Sequence, residues 1–215
     1  MTPAVLAMLA AAGLLAQQPN PPYKFSTTVN GEPLYTFGTT VVQPTGFKGT
    51  IYNLRHNTQW LPDFRKLKPV GSIYTSTLNV PLQSFDQGFP GVTKRFEWFA
   101  IDYAGRFWVT QAGLYRFSLL SDDGSKLYID DKLVIENDGV HSAREEPGEV
   151  DLAEGLHRIR VSYFQGPRTE VALVLRVALP GRRYRIFNTD EFKPPPDAQW
   201  SDPVDDTKEK PRKKR

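Results

Sequence analysis

Ser121-Asp122-Asp123-Gly124-Ser125 is the stretch of this chain whose residue types and spacing could do chemistry. Two adjacent carboxylates in a short polar segment between apolar runs are hard oxygen donors. They suit Ca2+, which takes about six to eight oxygens from carboxylates, carbonyls and waters. Successive side chains of an extended strand diverge, so aiming both at one ion needs an unusual backbone such as a cis peptide bond. Asn137, in Glu136-Asn137-Asp138-Gly139, is the candidate further ligand from the following loop. The same residues also read as turns. Asp-Gly between alternating runs is a hairpin signal, and Asp130-Asp131 repeats the acidic pair a few residues on. Spacing alone does not choose between the two pairs.

Other constellations offer less. The chain has no cysteine, which removes disulfides, thiolate metal sites and a thiol nucleophile. Its three histidines, His56, His141 and His157, form neither a His-Glu-x-x-His pattern nor another zinc spacing. His141 reads as a structural hydrogen-bonding group near a turn, and His157 falls on an apolar strand face. No Gly-x-Ser-x-Gly elbow, phosphate loop or dinucleotide fingerprint occurs. Glu97, Asp102, Glu145 and Glu146 remain formal candidates for a carboxylate pair in a small glycoside hydrolase, but they fall in strands or a charged turn. The expectation is therefore a non-enzyme. Trp98 and Trp108 lie in strand patterns and read as core. Trp60, beside Leu61-Pro62 in a loop, is the candidate platform on which a sugar ring could stack.

The elements that must position these residues are strands. Short runs rich in Val, Ile, Tyr, Phe and Trp alternate with Gly, Asp, Asn and Pro clusters. Strands are expected over residues 49–54, 95–102, 106–109, 113–120, 126–129, 132–136, 148–152, 155–164 and 169–178. In 155–164, His157, Ile159, Val161 and Tyr163 share one face and Arg158, Arg160 and Ser162 the other. Val171, Leu173, Leu175 and Val177 repeat that logic, with Gln165-Gly166-Pro167-Arg168 between as a hairpin connection. Two sheets packed face to face bury both stripes. The fold class is all-β, an antiparallel β-sandwich of roughly eight to ten strands. Residues 55–90 read as long loops, with a helical turn around 63–67.

Of 27 Lys and Arg against 24 Asp and Glu, residues 205–215 hold six and three, leaving 21 against 21 elsewhere. The basicity belongs to a tail, so the body carries no electrostatic footprint for a nucleic acid. Residues 4–16 are a thirteen-residue apolar run, too short to span a hydrocarbon core of ~30 Å and suited to a signal peptide. The expected organisation is a leader over 1–16, a proline-rich linker over 17–22, one domain over 23–192 and a disordered charged tail over 193–215. After leader removal no transmembrane span is expected, and the location is secreted, periplasmic or at the cell surface.

The stretch Leu119-Leu120-Ser121-Asp122-Asp123-Gly124-Ser125-Lys126-Leu127-Tyr128-Ile129-Asp130, with Asn137-Asp138-Gly139-Val140-His141, resembles the signature of the protective-antigen lectin-like family, the PA-fourteen module. Phe96-Glu97-Trp98-Phe99, Ala112-Gly113-Leu114-Tyr115-Arg116-Phe117, Gly155-Leu156-His157-Arg158-Ile159 and Tyr163-Phe164-Gln165-Gly166 extend the likeness over residues 49–179. The resemblance implies a lectin-like sandwich whose sugar-binding members hold calcium on an Asp-Asp pair joined by a cis peptide. Carried over, that pair is Asp122-Asp123, which would hold the metal and contact the sugar. The family's further Asn comes from a later loop, for which Asn137 is the candidate metal ligand here. Trp60, by its own loop setting, is the candidate further carbohydrate contact. The implied partner is a glycan or cell-surface polysaccharide, two vicinal hydroxyls of which complete the calcium shell. The rival expectation is a structural or protein-interaction module at the cell surface, whose acidic stretch is only a turn.

Overall fold

A computed structural model describes residues 28–29, 32–36, 46–92, 95–167 and 169–196. The expected leader and linker, and residues 197–215 of the expected tail, lie outside the described residues. Strands are β1 (Thr28–Val29), β2 (Glu32–Thr36), β3 (Phe47–Asn53), β4 (Pro69–Thr75), β5 (Asn79–Ser84), β6 (Phe99–Val109), β7 (Gly113–Asp122), β8 (Ser125–Ile129), β9 (Lys132–Asn137), β10 (Arg144–Leu152), β11 (Gly155–Gln165), β12 (Glu170–Ala178) and β13 (Arg185–Ile186). Three single 3-10 turns accompany them. No helix among the described residues is long and apolar enough to cross a membrane.

The strands form two layers. One is an eight-stranded sheet in the order β1-β2-β4-β3-β6-β11-β8-β9; the other runs β10-β7-β12-β13, with β5 also on β12. All pairings are antiparallel except β2 with β4. Period-two alternation places the apolar stripes between the layers. From the larger sheet come Ile51, Ile101, Tyr103, Phe107, Leu127, Ile159, Val161 and Tyr163. From the smaller come Tyr115, Phe117, Leu119, Leu173, Leu175 and Val177, all buried in one core.

Three expectations are corrected. Residues 95–109 do not form two strands: 95–98 are irregular, and β6 runs unbroken through Gly105, whose missing side chain leaves room for the Phe47 ring. Residues 55–90 contain β4 and β5, which low aliphatic content and proline hid, while the expected helical turn is present as Phe64–Lys66, capped by the Asp63 carboxylate. The segment after Gln165 is not a hairpin, because β11 and β12 belong to different sheets. It crosses from one layer to the other.

The same topology separates the two acidic pairs. Asp130 and Asp131 both have positive φ and form the two-residue turn of the β8-β9 hairpin. Asp122-Asp123-Gly124 instead leaves β7 in the smaller sheet and enters β8 in the larger. The β9-β10 connection, residues 138–143, makes a third crossing. All three connections gather at one end of the sandwich, since Gly166 and His141 both donate to Asp123.

Candidate functional site

The site is assembled from those crossings. The Asp122-Asp123 peptide bond is cis, and both side chains are buried, at 6% and 3% exposure. Asp123 is held by three donors. Its Oδ1 accepts from His141 N at 3.1 Å, and its Oδ2 from Gly166 N at 2.7 Å and Gln165 Nε2 at 3.2 Å. The backbone N–H of Ala143 favours the ionised form of Asp122. The Tyr163 hydroxyl lies 2.8 Å from the Asp122 carbonyl oxygen and 2.6 Å from Gln165 Oε1, which ties the crossing to β11.

Local packing explains why the chain folds this way here. Gly124 passes so close to Phe164 and to the Gly139 backbone that no side chain fits. Beneath it, Leu54, Trp98, Ala100 and Phe164 form a second buried cluster, covered by Leu61, Phe64 and Leu67 on the outer face of the larger sheet. Trp98, expected in the core, belongs to this cluster, with the His56 ring tilted against it at 4.9 Å. Trp108, also expected in the core, is only partly buried.

No Lys or Arg ion pair reaches either member of the acidic pair among the described residues. Burial first, then the Asp123 charge and Glu170, raises Asp122 from the ordinary carboxylate range to about 7, against partial relief from His141 and the Ala143 N–H. Burial also raises Asp123, offset by the Gly166 and His141 N–H bonds. A carboxylate raised in the folded state contributes stability that is present below its unfolded pKa and lost as pH climbs through the folded one. In calcium-free buffer, raising the pH from 5 to 8 is therefore expected to lower the melting temperature of wild type relative to Asp122→Asn. Thermal denaturation across that window checks it; parallel pH profiles would refute the assignment.

A divalent cation fits this donor set. Two ionised carboxylates offer roughly eight lone-pair sites, and the three N–H bonds to Asp123 leave more than half of them free. No group of three or more His, Asp or Glu side chains converges among the described residues. The remaining oxygens of a calcium shell would have to be backbone carbonyls, waters or ligand hydroxyls.

The other expected residues divide. Trp60 is brought to the site: it is 64% exposed, and its ring packs on Gly139, which itself abuts Gly124. Asn137 is fully buried below the crossing. Its Nδ2 donates to Ser121 Oγ and Arg144 O, both at 3.0 Å, and its Oδ1 accepts from Arg144 Nε at 2.7 Å. His141 sits with its ring nitrogens 2.9 Å from Ser142 O and 3.0 Å from Asn137 O, a structural role as expected. His157 is buried, 2.6 Å from Asp130 Oδ2. Gln165, buried against Asp123, was not legible in the sequence; its place at the end of an alternating strand was the sole signal.

Of the formal hydrolase candidates, Asp102 and Glu145 lie on different sheets. Asp102, on the outer face of the larger sheet, is bound by Arg160 and Ser162. Glu145 is bound by Ser118 and Arg176 on the smaller sheet.

A two-layer antiparallel sandwich with a cis acidic pair at a three-loop pole defines a lectin-like module. The PA14 domain family model matches residues 57–191, more than half of the chain, and the chain belongs to that family. No curated protein matches the sequence. Among solved structures, the chain is similar to a PA14 sugar-binding domain from an RTX adhesin, at 19% identity and TM-score 0.56, covering 70% of this chain and 97% of that one. It is also similar to the Epithelial Adhesin 9 A domain of Candida glabrata in complex with Galβ1-3GlcNAc, at 14% identity and TM-score 0.50, covering 69% and 88%. An anti-sigma factor domain-containing protein matches at 19% identity and TM-score 0.56 over 73% of this chain, which spans only 51% of that protein. These likenesses establish the shared fold.

Proposed function

We propose that this protein is an exported, non-catalytic carbohydrate-binding module that holds Ca2+ on Asp122 and Asp123 and binds a glycan through that ion. The observation that carries the reading is the buried acidic pair at the loop pole, which no Lys or Arg ion pair reaches among the described residues. Two like charges a residue apart in a poorly solvated pocket call for a bound cation. The sugar-binding and adhesin names of two structural relatives support the glycan, and the apolar stretch over residues 4–16 supports export.

In this reading the protein's residues divide the work. Asp123, fixed by three donors, sets the geometry, and Asp122 supplies the second carboxylate. Asp122 and Asp123 would hold the ion, which would supply charge neutralisation of the pair and open positions for vicinal hydroxyls of the glycan. Trp60 offers an apolar face to the sugar ring. Asn137 supports the crossing through Ser121 and Arg144, with its carbonyl oxygen as a further candidate donor.

The test is calcium titration by calorimetry with wild type and the double variant Asp122→Ala/Asp123→Ala, then a glycan array with and without calcium. Calcium-dependent glycan binding that the double variant lacks is the expected outcome. A flat titration, or undiminished sugar binding by the double variant, would leave a structural module as the account of this fold.

A further inference from the structure

We propose that Asp138 is the positioning residue of the aromatic platform, holding Trp60 beside the acidic pair. The ligand arm of this inference rests on the glycan-binding reading; the geometric arm does not.

Trp60 lies in a segment that no strand holds, between β3 and β4. Among the described residues, Thr58 and Gln59 bond locally, to Arg55 O and Asn57 O. Leu61, Phe64 and Leu67 anchor the segment on the second cluster, but no ladder hydrogen bonds hold it, which leaves polar ties to place the chain at Trp60. The tie that reaches across the molecule is Leu61 N, which donates to Asp138 Oδ1 at 2.8 Å over 77 residues of chain. The same oxygen accepts from Gly139 N at 2.8 Å. Asp138 Oδ2 pairs with Lys126 Nζ of β8 at 3.1 Å, and Lys126 also meets Glu136.

One nearly buried carboxylate, 8% exposed, thus joins the Trp60 segment, β8 and the β9-β10 crossing. That crossing also gives His141 N to Asp123. The ring of Trp60 rests on Gly139, the residue after Asp138, where a methyl group would come within 3.1 Å of the indole. The backbone bond at Leu61 fixes the chain next to the ring, and the missing side chain at Gly139 gives the ring its seat. The partners of the Asp138 carboxylate are Leu61 N, Gly139 N and Lys126 Nζ, with neither member of the acidic pair among them, so its effect on ligand runs through Trp60.

Hydrogen exchange at the Leu61 amide, calcium calorimetry and an oligosaccharide array that includes Galβ1-3GlcNAc test this on the full chain. In Asp138→Ala the Leu61 amide is expected to exchange at least about tenfold faster, the change equivalent to one lost hydrogen bond. Asp138→Asn keeps Oδ1 as an acceptor and should restore most of that protection. Calcium affinity should be unchanged. On the array, Trp60→Ala, Asp138→Ala and the double variant should lose affinity by the same factor, because both changes remove one contact. Should Asp138→Ala unfold, Leu61→Pro removes the donor, leaves the carboxylate and is expected to give the same loss on the array.

Unchanged Leu61 protection in Asp138→Ala overturns the proposal. So does a double variant that loses the product of the single effects, or loss of calcium binding in Asp138→Ala, which would make Asp138 a ligand. If wild type binds no glycan, the glycan-binding reading falls, while the exchange result still decides whether Asp138 places Trp60.

Discussion

In calcium-free buffer, Asp123→Ala is expected to destabilise the protein while Asp122→Ala leaves it nearly as stable as wild type, although both should lose calcium. The two carboxylates are neighbours in sequence, but their surroundings differ. Removing the Asp123 side chain orphans His141 N and Gly166 N, while Gln165 Nε2 keeps Glu170 O at 3.1 Å. A buried donor left unsatisfied costs about 1 to 3 kcal/mol. A loss of at least about 2 kcal/mol follows, which for a chain of this size lowers the melting temperature by roughly 4 to 8 °C. At Asp122 the Ala143 N–H only partly favours the carboxylate, and burial beside a like charge already disfavours its ionised form. Deleting it removes one hydrogen bond and one repulsion, and the two offset to within about 1 kcal/mol at pH 8. Chemical denaturation with a chelator present measures the difference. Equal losses for the two variants would show that the pair acts as a single structural unit, contrary to the geometry.

Gly124→Ala should be as damaging without touching any charge. A methyl group there would lie 2.4 Å from Phe164 Cε1 and 2.8 and 2.9 Å from the Gly139 N and O. Phe164 cannot move aside, because it is buried in the second cluster with Leu54, Trp98 and Ala100. The β9-β10 crossing must then shift, and it carries the His141 N–H that holds Asp123 as well as the seat of Trp60. Overpacking of this kind costs about 1 to 3 kcal/mol. Calcium affinity should fall at least tenfold, since a shift of the crossing misplaces Asp123. Calorimetry on a variant shown to be folded checks both effects. Wild-type stability and calcium binding in Gly124→Ala would mean that the three crossings are looser than their contacts require.

The sequence determined that this is an all-β chain of the PA14 family and where its acidic site lies. Alternation with period two marks which residues of β11 and β12 face the space between the sheets, because strand side chains point to opposite faces whatever the neighbour. Phe164, Ala172 and Val174 on the other face are buried too. The Ser-Asp-Asp-Gly-Ser stretch, in its order among the other family segments, located the site. Alternation says nothing about which strand lies beside which. That is why Gln165-Gly166-Pro167-Arg168 reads as a hairpin although it joins two sheets, and why Asp122-Asp123 and Asp130-Asp131 look equivalent. Only the tertiary structure made the second pair a hairpin turn with two positive φ angles and the first a crossing between layers. It alone brought Gln165, Gly166 and His141 onto Asp123, committed the side chain of Asn137 to Ser121 and Arg144, and set Asp138 under the chain at Leu61. The physical reason is common to all of these. Their partners lie seven to 77 residues away, and contacts at such separations exist only once two sheets have stacked and fixed the loops at one pole.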